Sequence, residues 1–474
     1  MKPVILWTDG LVFLLVFVLC AFAWYASKRP HLSAPWKKVG ESRSGMISAV
    51  VLMFFVGIGF LDSLHFRPAD GKGAYSVQVL SAFDALASKM RTRTETTYSA
   101  PFSVHSFQKE SMLVDGRPER VYPRLKYGGA ELRDPGREEI PDIAKRVLGA
   151  WMGAILAWSA AFVALALVLA KGGSLKMSAA MILKGEGNHP WNAMLYTLLV
   201  LFLIFFPAFS LSSHYHVFGT DKVGQDVFYL ALKSIRTGLV IGTLTTLVML
   251  PFAIWLGILA GYLGGWIDDL IQYVYTTLNS IPSVLLIVAS VLMMQVYIDA
   301  HPSLFETMAE RADLRLLFLC MILGMTSWTE LCRLLRGEAL KLREMEYIQA
   351  AQAFGVSHLK IVTRHILPNV MHIVLISVVM QFSSLVLAEA VLSYVGVGVD
   401  PSMISFGTMI NAARLEMARE PMVWWSLAAA FLFMFSMVLS ANLFADAVRD
   451  AFDPRLQTRS SLGILKRVVG RDRQ

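Results

Sequence analysis

The chain has 474 residues, of which 55% are hydrophobic and only 16% are charged, and its formal net charge is +8. Soluble globular domains carry about 25% charged residues, so this composition excludes a soluble protein and predicts one that needs a bilayer as its solvent. The Lys and Arg residues fall mostly between hydrophobic runs, where they act as topology signals. No nucleic-acid-binding pattern is present, so a nucleic-acid partner is not expected.

Nine hydrophobic runs approach the roughly 20 residues that a helix needs to cross a bilayer. They centre on residues 4–26, 46–64, 148–170, 192–212, 235–262, 270–298, 313–332, 369–395 and 422–446. The sequence therefore predicts an all-α, polytopic membrane protein with about nine transmembrane helices.

The short loops assign the sides of the membrane, because cytoplasmic loops are enriched in Lys and Arg. The basic segments are residues 27–45, 171–191, 333–366 and the tail after residue 446. With nine spans, all four basic segments fall on the same side of the membrane, which is then the cytoplasmic side. This places the N-terminus outside and the C-terminus inside a bacterial inner membrane. The basic residues can also meet anionic lipid head groups.

The first hydrophobic run allows two interpretations. Its Ala21-Phe22-Ala23 end resembles a signal-peptide cleavage site. Cleavage would turn every later basic loop outward, so an uncleaved helix is preferred. Asp9 in this helix is expected to pair within the bundle or to lie near the membrane interface.

One long polar segment, residues 65–147, separates the second and third runs. Because the charge rule holds for short loops, this segment can translocate despite its basic residues. It predicts a small extracytoplasmic insertion. Apolar residues at helical spacing predict a helix between Tyr75 and Met90.

Metal ligation has little support in the sequence. Cys20, Cys320 and Cys332 lie in or at the ends of apolar runs and have no CxxC spacing, so we expect small buried apolar residues. His214 and His216 have a spacing that could bind a metal on a strand, but surface positions are the preferred interpretation. We therefore expect no cofactor on this chain.

The strongest functional signal follows the seventh run. It reads Glu346-Tyr347-Ile348-Gln349-Ala350-Ala351-Gln352-Ala353-Phe354-Gly355, and later Arg364-His365-Ile366-Leu367-Pro368-Asn369. Small alanines favour a short helix with one narrow side. Gly355 suits the position just past its end, where φ is positive. Ser357 can cap a second helix that runs to Pro368, so the segment predicts a rigid helical knob below the membrane.

This segment resembles the EAA loop of ABC importer permeases, which docks into a cleft of the ATPase subunit. Gln349 replaces the usual Glu and His365 stands at the usual Ile position, whereas the Ala-Ala-x-x-x-Gly spacing is kept. The His-Ile-Leu-Pro-Asn ending is similar to the dipeptide/oligopeptide branch. The resemblance implies these ATPase-docking residues: Glu346, Tyr347, Gln349, Ala350, Ala351, Gly355, Leu367 and Pro368.

Further stretches are similar to the C-type permease of the same branch: residues 218–227, 261–268, 388–398 and 443–455. The first contains a Gly-Thr-Asp box in which Gln225 replaces the usual Arg. Its glycines permit turns, and Asp226 can cap the next helix. The resemblance implies that the box faces the translocation path or a binding protein through Gly219, Thr220, Asp221, Gly224 and Asp226.

Glu389 lies inside a predicted span, where an acid is costly and usually faces a cavity or a partner. Two interpretations stay open for it. The carboxylate contacts a peptide amine or forms a gate, or it makes a structural hydrogen bond between helices.

The resemblance covers roughly residues 190–455 and implies a six-helix type I ABC importer permease core there. Before the core we place two transmembrane helices in residues 1–64, the extracytoplasmic insertion in 65–147, and a third extra helix with a cytoplasmic connector in 148–189. A basic cytoplasmic tail occupies 456–474.

The resemblance implies a subunit that forms the translocation path for di- or oligopeptides or related small solutes. Its implied partners are a second permease subunit, two ABC ATPase subunits that bind ATP and Mg²⁺, and an extracytoplasmic substrate-binding protein. The chain lacks a GxxxxGK[ST] loop, so it is not expected to be an enzyme.

Two other classes fit the sequence less well. A secondary active transporter needs ionisable residues near the midplane of broken helices, and the spans are poor in them apart from Glu389. A membrane-embedded enzyme needs clustered ligands or a nucleophile with its base, and neither HExxH nor GxSxG occurs.

Overall fold

The computed structural model describes residues 2–70, 74–114, 117–170, 174–187, 189–302 and 307–452. The predicted basic tail at 456–474 lies outside the described residues. Within them, the first helices are α1 (Trp7–Ser27), α2 (Pro30–Glu41), α3 (Arg43–Ser63), α4 (Ala82–Leu86), α5 (Ser88–Thr92), α6 (Pro135–Ala170), α7 (Leu175–Lys184) and α8 (Trp191–Ser212). The later ones are α9 (Val227–Leu263), α10 (Gly265–Ser280), α11 (Ser283–Ala300), α12 (Met308–Arg343), α13 (Glu346–Ala353), α14 (His358–Ile361), α15 (Leu367–Tyr394), α16 (Phe406–Glu416) and α17 (Trp425–Phe452).

The described ranges contain nine helical segments long and apolar enough to cross a membrane, which confirms the predicted all-α, polytopic class. They are α1, α3, α6, α8, α9, α11, α12, the continuous helix His358–Tyr394 that contains α14 and α15, and α17. The sixth predicted span, residues 270–298, is wrong at its start. Ser280 ends α10, Ile281 is extended, and Pro282 precedes α11, so two helices replace one.

The insertion contains short strands as well as helices. Strands β2 (His65–Arg67) and β5 (Leu80–Ser81) form an antiparallel sheet with β1 (Lys2–Val4), which precedes the first span. Strands β3 (Ala69–Asp70) and β4 (Ala74–Tyr75) pair with each other, as do β6 (Glu110–Val114) and β7 (Arg117–Val121). The predicted helix over Tyr75–Met90 is wrong in its first half. Ser81 caps α4 by accepting a hydrogen bond from the Asp84 amide, so the helix starts only there.

Helices α9 and α12 form the centre of the core, packed side by side. Three glycines allow this close approach. A Cβ at Gly257 would lie 2.7 Å from the Cys332 carbonyl oxygen, and one at Gly261 would lie 2.4 Å from the Arg336 carbonyl oxygen. Gly324 of α12 meets α9 in the same way. With 37 residues, α9 is about 55 Å long, so its two ends lie on opposite sides of a membrane.

The extra N-terminal helices pack directly on this core. Helix α3 contacts α8, α9 and α17, α1 contacts α12, and α6 packs along α8. Helix α2 reaches the last span, where Trp36 meets the Phe452 ring edge to face and Val39 packs against Val448. The chain therefore folds its N-terminal helices onto the core rather than as a separate bundle.

The prediction of three buried cysteines is correct for two of them. Cys320 and Cys332 of α12 are buried, whereas Cys20 of α1 is exposed, so the prediction is wrong for Cys20.

Candidate coupling loop and extracytoplasmic site

Residues 346–368, called the coupling loop below, lie beyond the C-terminal end of α12. Helix α13 ends at Ala353, and Gly355 has φ of +73°, the left-handed conformation expected just past a helix end. All eight predicted docking residues are exposed or half-buried: Glu346, Tyr347, Gln349, Ala350, Ala351, Gly355, Leu367 and Pro368. Phe354 is 87% exposed. The loop thus presents a short helix and an apolar tip to the outside.

The inner side of the coupling loop is fixed to the core. Ile348, Ile361 and Ile366 are fully buried against residues of α9, α10 and α12. At the end of α9, the Tyr262 hydroxyl is hydrogen-bonded to His358 Nδ1 at 2.9 Å and accepts from Gln352 Nε2 at 3.3 Å. The loop is therefore anchored on the long core helices.

The second half of the loop differs from the prediction. Ser357 precedes α14, but its side chain makes no capping hydrogen bond. The helix also does not end at Pro368. A π-helical turn over Val362–Ile366 joins α14 to α15, and Pro368 lies in the first turn of α15. The Leu367 amide continues the helix by donating to the Val362 carbonyl oxygen, so the loop runs directly into a membrane span.

At the opposite end of α9, residues 95–100 of the insertion cover the Gly-Thr-Asp box (residues 218–227). The box has the predicted turns, with φ of +67° at Gly219 and +76° at Gly224. Asp226 caps α9, as predicted, by accepting from the Tyr229 amide at 3.0 Å. Thr220 has no exposed surface and donates to the Thr97 carbonyl oxygen at 2.8 Å.

The box is therefore mostly an internal interface. Thr220 and Asp226 are buried, Gly224 packs against residue 95 of the insertion, and Asp221 is half-buried. The prediction that these residues face a path or a binding protein stays a prediction. The sequence offered no sign of this cover, because the covering residues lie about 120 positions earlier in the chain.

His216 is the centre of a buried ion-pair cluster between the insertion and the box. Its Nδ1 lies 2.8 Å from Asp226 Oδ2 and its Nε2 lies 3.4 Å from Glu95 Oε1. Glu95 also accepts from the backbone amides of Lys126 and Tyr127. The prediction that His216 is a surface residue is wrong, since only 4% of it is exposed.

The pKa values of His216 and Glu95 in this cluster shift in opposite directions. Burial opposes the charged imidazolium, but hydrogen bonds to Asp226 and Glu95 outweigh burial and raise the pKa of His216 to about 9. Burial likewise opposes ionisation of Glu95, but hydrogen bonds from His216 and three backbone amides lower its pKa to about 2. A charged His216 between two carboxylates is therefore the stable state near neutral pH.

Stability should decrease with rising pH because of this cluster. A raised histidine pKa stabilises the fold fully below its ordinary value of 6.5, and the contribution is lost as pH rises through about 9. The Glu95 contribution is lost only as pH falls from 4.5 towards about 2. We expect the difference in unfolding free energy between wild type and His216→Gln to shrink by about 3 kcal/mol between pH 6 and pH 10.

The measurement is detergent-induced or thermal unfolding of the purified protein across this pH range. His105→Gln is the matched control, because His105 is an exposed histidine of the same insertion. A wild-type minus His216→Gln difference that is flat from pH 6 to 10 would contradict the assignment.

A second cluster ties α4 of the insertion to α9. The Asp84 carboxylate accepts from the Tyr229 hydroxyl at 2.6 Å and pairs with Lys233. Lys233 lies 3.6 Å from Asp62, whose carboxylate accepts from Ser81 at 2.6 Å. Burial opposes ionisation of Asp84, but the Lys233 charge and these hydrogen bonds hold its pKa below the ordinary value.

A third cluster joins the first span to the core. Arg236 of α9 donates to Asp9 at 2.6 Å and to the Thr8 hydroxyl at 3.1 Å. His65 lies 2.7 Å from the other Asp9 oxygen, and the Thr8 amide donates to Asp313 of α12 at 3.0 Å. Of the two positions proposed for Asp9, the structure shows pairing within the bundle. An arginine in an apolar run needs a buried partner. Arg236 therefore pointed to this cluster in the sequence, and we did not predict it.

Glu389 is buried in the protein interior, with only 1% of its surface exposed. Its Oε1 accepts from Ser393 at 2.7 Å and from Ser405, the residue that caps α16, at 2.9 Å. These contacts agree with the second interpretation, a structural hydrogen bond between helices α15 and α16.

The family profile described as "binding-protein-dependent transport system inner membrane component" matches residues 253–458. The oligopeptide transport system permease protein OppC of Mycobacterium tuberculosis is 31% identical over 239 residues, which cover 50% of this chain and 76% of that protein. The chain belongs to this permease family. Its predicted membership of the peptide ABC importer permeases is thereby confirmed, and it is the permease component of an ABC importer.

Other relatives of this permease carry similar names. The glutathione transport permease GsiD of Pectobacterium atrosepticum is 32% identical over 245 residues, 51% of this chain and 74% of that protein. The dipeptide permease DppC of Alkalihalophilus pseudofirmus is 32% identical over 243 residues, which cover 51% of this chain and 73% of that protein. A solved inward-facing MetNI methionine ABC transporter matches at a TM-score of 0.36 and 15% identity, covering 48% of this chain and 97% of that one.

Proposed function

We propose that this permease forms the translocation path for di- or oligopeptides or related small solutes, driven by ATP that a separate ATPase subunit hydrolyses. The observation that carries the proposal is the coupling loop, which combines an exposed helix with a buried anchor on α9 and α12. The names of the relatives support peptides as the substrate class.

The coupling loop would work as a lever. Its exposed residues, including Phe354 and Tyr347, would insert into a cleft of the ATPase. Closure of the ATPase around ATP and Mg²⁺ would move α13, and the buried isoleucines would pass that movement to the core. Because packed cores have discrete arrangements rather than continuous ones, the permease would switch between inward-open and outward-open states as a rigid body.

The proposed assembly has a second permease subunit beside this chain, two ATPases on the cytoplasmic side and a substrate-binding protein on the outer side of a bacterial inner membrane. In this orientation the N-terminus is outside and the C-terminus inside. Because residues 95–100 cover the Gly-Thr-Asp box, the binding protein would meet the insertion rather than Thr220 or Asp226 on this half of the path.

A secondary transporter is the second candidate, and the buried charges of α9 and α12 are the observation that favours it. Against it, Asp9, Arg236 and Asp313 form a closed set of ion pairs and hydrogen bonds near the ends of their helices. Uptake that persists with a cation gradient but without an ATPase would favour this alternative.

The test uses the co-expressed transporter complex and two substitutions at one position. Gly355→Pro is expected to reduce binding-protein-stimulated ATPase activity at least about tenfold, because proline fixes φ near −65° and this turn needs +73°. Gly355→Asn is the matched control, since asparagine tolerates the left-handed region and no atom lies within 4 Å of an added Cβ.

Two measurements separate the possible outcomes. Co-purification reports whether the ATPase still binds, and stimulated hydrolysis reports whether movement is transmitted. Full stimulation in Gly355→Pro would mean that the loop is only a connector. Lost stimulation in both variants, with folding intact, would mean that side-chain volume rather than backbone geometry matters at this position.

A further inference from the structure

An apolar cavity of about 430 Å³ lies between the extra helix α3 and the core helices α8, α9 and α17. Seven of its sixteen lining residues are phenylalanine, and Ser436 is its single hydroxyl-bearing residue. The Ser436 hydroxyl donates to the Leu432 carbonyl oxygen at 2.7 Å, so it offers no free donor to the cavity. A ligand here must therefore be apolar.

Part of the cavity wall is formed by side chains that are exposed on the surface of the membrane spans. Ile204 is 58% exposed and Leu432 is 50% exposed, and both belong to membrane spans, where exposed apolar side chains face lipid. Phe102 of the insertion also lines the cavity. It has φ of +60°, a conformation that phenylalanine rarely adopts, and its amide donates to the His216 carbonyl oxygen at 2.9 Å.

The strained position of Phe102 is a second, independent sign that this cavity is a built feature. Such backbone outliers persist only where the surrounding structure holds them, and they cluster at ligand sites. Here the insertion holds an aromatic ring in the wall of a cavity that core residues mostly form.

The size and depth of the cavity select the occupant. Protein interiors are close-packed, and voids much larger than a water molecule are few. Water would find no hydrogen-bond partners here. At about 30 Å³ per water, the volume equals about 14 waters. A methylene group is of similar size, so the space fits one lipid chain but not a helix about 10 Å wide.

We propose that this cavity binds one acyl chain of a bilayer phospholipid, which packs the extra helix α3 and the insertion against the importer core. The cavity shares no lining residue with the coupling loop.

The experiment reconstitutes the full-length protein in nanodiscs that contain a phospholipid with a diazirine near the end of one acyl chain. After photolysis, mass spectrometry maps the cross-linked peptides. We expect labelling concentrated on residues 201–211 and 432–436. Labelling no higher there than on the exposed faces of other spans would overturn the proposal and indicate only surrounding lipid.

Two variants test the site itself. Ala208→Phe places a ring in the cavity and is expected to reduce labelling of these peptides at least about fivefold, because the filled volume no longer admits a chain. Ala164→Phe adds the same atoms to an exposed position of α6 and should leave labelling unchanged. Equal labelling in the two variants would contradict the proposal.

If Ala208→Phe does not yield folded protein, Ser436→Phe fills the same cavity from α17. A second copy of the permease could cover the cavity in place of lipid. Repeating the labelling at one protein per nanodisc tests this alternative. Loss of the label only when copies associate would assign the cavity to a subunit interface instead.

Discussion

Replacing Arg236 with methionine is expected to destabilise the folded protein by about 3–5 kcal/mol, the usual cost of leaving a buried charge without its partner. Arg236 is only 5% exposed and lies among Asp9, Asp313 and Thr8. Methionine has a similar length but no charge. The substitution leaves the Asp9 carboxylate facing only His65, and the first helix loses its ion pair with α9.

Arg311→Met is the matched control, because it removes an arginine from an exposed ion pair. Arg311 contacts Asp299, and their side chains are 34% and 48% exposed. Such surface pairs contribute about 0–1 kcal/mol. Stability is measured by titration of the purified proteins with a denaturing detergent.

A double substitution decides whether the loss arises from the unpaired charge. Asp9→Asn together with Arg236→Met should recover part of the stability, because the buried carboxylate is then neutral. No recovery, or a cost for Arg236→Met as small as that for Arg311→Met, would show that the cluster does not hold α1 on the core.

The helices and the coupling loop could be predicted from sequence because their signals are local. Apolar runs of bilayer length identify spans directly. The Ala-Ala-x-x-x-Gly pattern predicted both α13 and the left-handed turn at Gly355. The sixth span was misplaced because Pro282 separates two helices that share one apolar run. Hydropathy averages over such a break.

The clusters around His216 and Arg236 could not be predicted in the same way, because their contacts join distant parts of the chain. Glu95 meets His216 across 121 positions, and Arg236 meets Asp9 across 227. Periodicity says nothing about such pairs. The one available signal was chemical: charged residues within or beside apolar runs need buried partners, which applies to Arg236 and Lys233.

The same contacts change how the sequence pattern of the Gly-Thr-Asp box should be interpreted. Its two glycines do more than permit turns. A Cβ at Gly219 would lie 2.3 Å from the Ser99 carbonyl oxygen, and one at Gly224 would lie 1.9 Å from the Glu95 carbonyl oxygen. Both glycines therefore provide the space in which the backbone of the insertion lies against the core.

Gly224→Ala is accordingly expected to displace the insertion and to cost more than about 3 kcal/mol, because a backbone clash adds to the strain of a left-handed alanine. Gly396→Ala separates the two effects. Gly396 has φ of +87°, but no atom lies within 4 Å of an added Cβ, so only the strain of about 1–2 kcal/mol remains.

Hydrogen exchange of residues 95–102 in the two purified variants measures the displacement directly. Rapid exchange there in Gly224→Ala, with wild-type exchange in Gly396→Ala, is the expected result, since only the first substitution touches Glu95. Equal protection in both variants would mean that the insertion adapts to the added methyl group. The box and its cover would then be held mainly by the His216 cluster rather than by backbone packing.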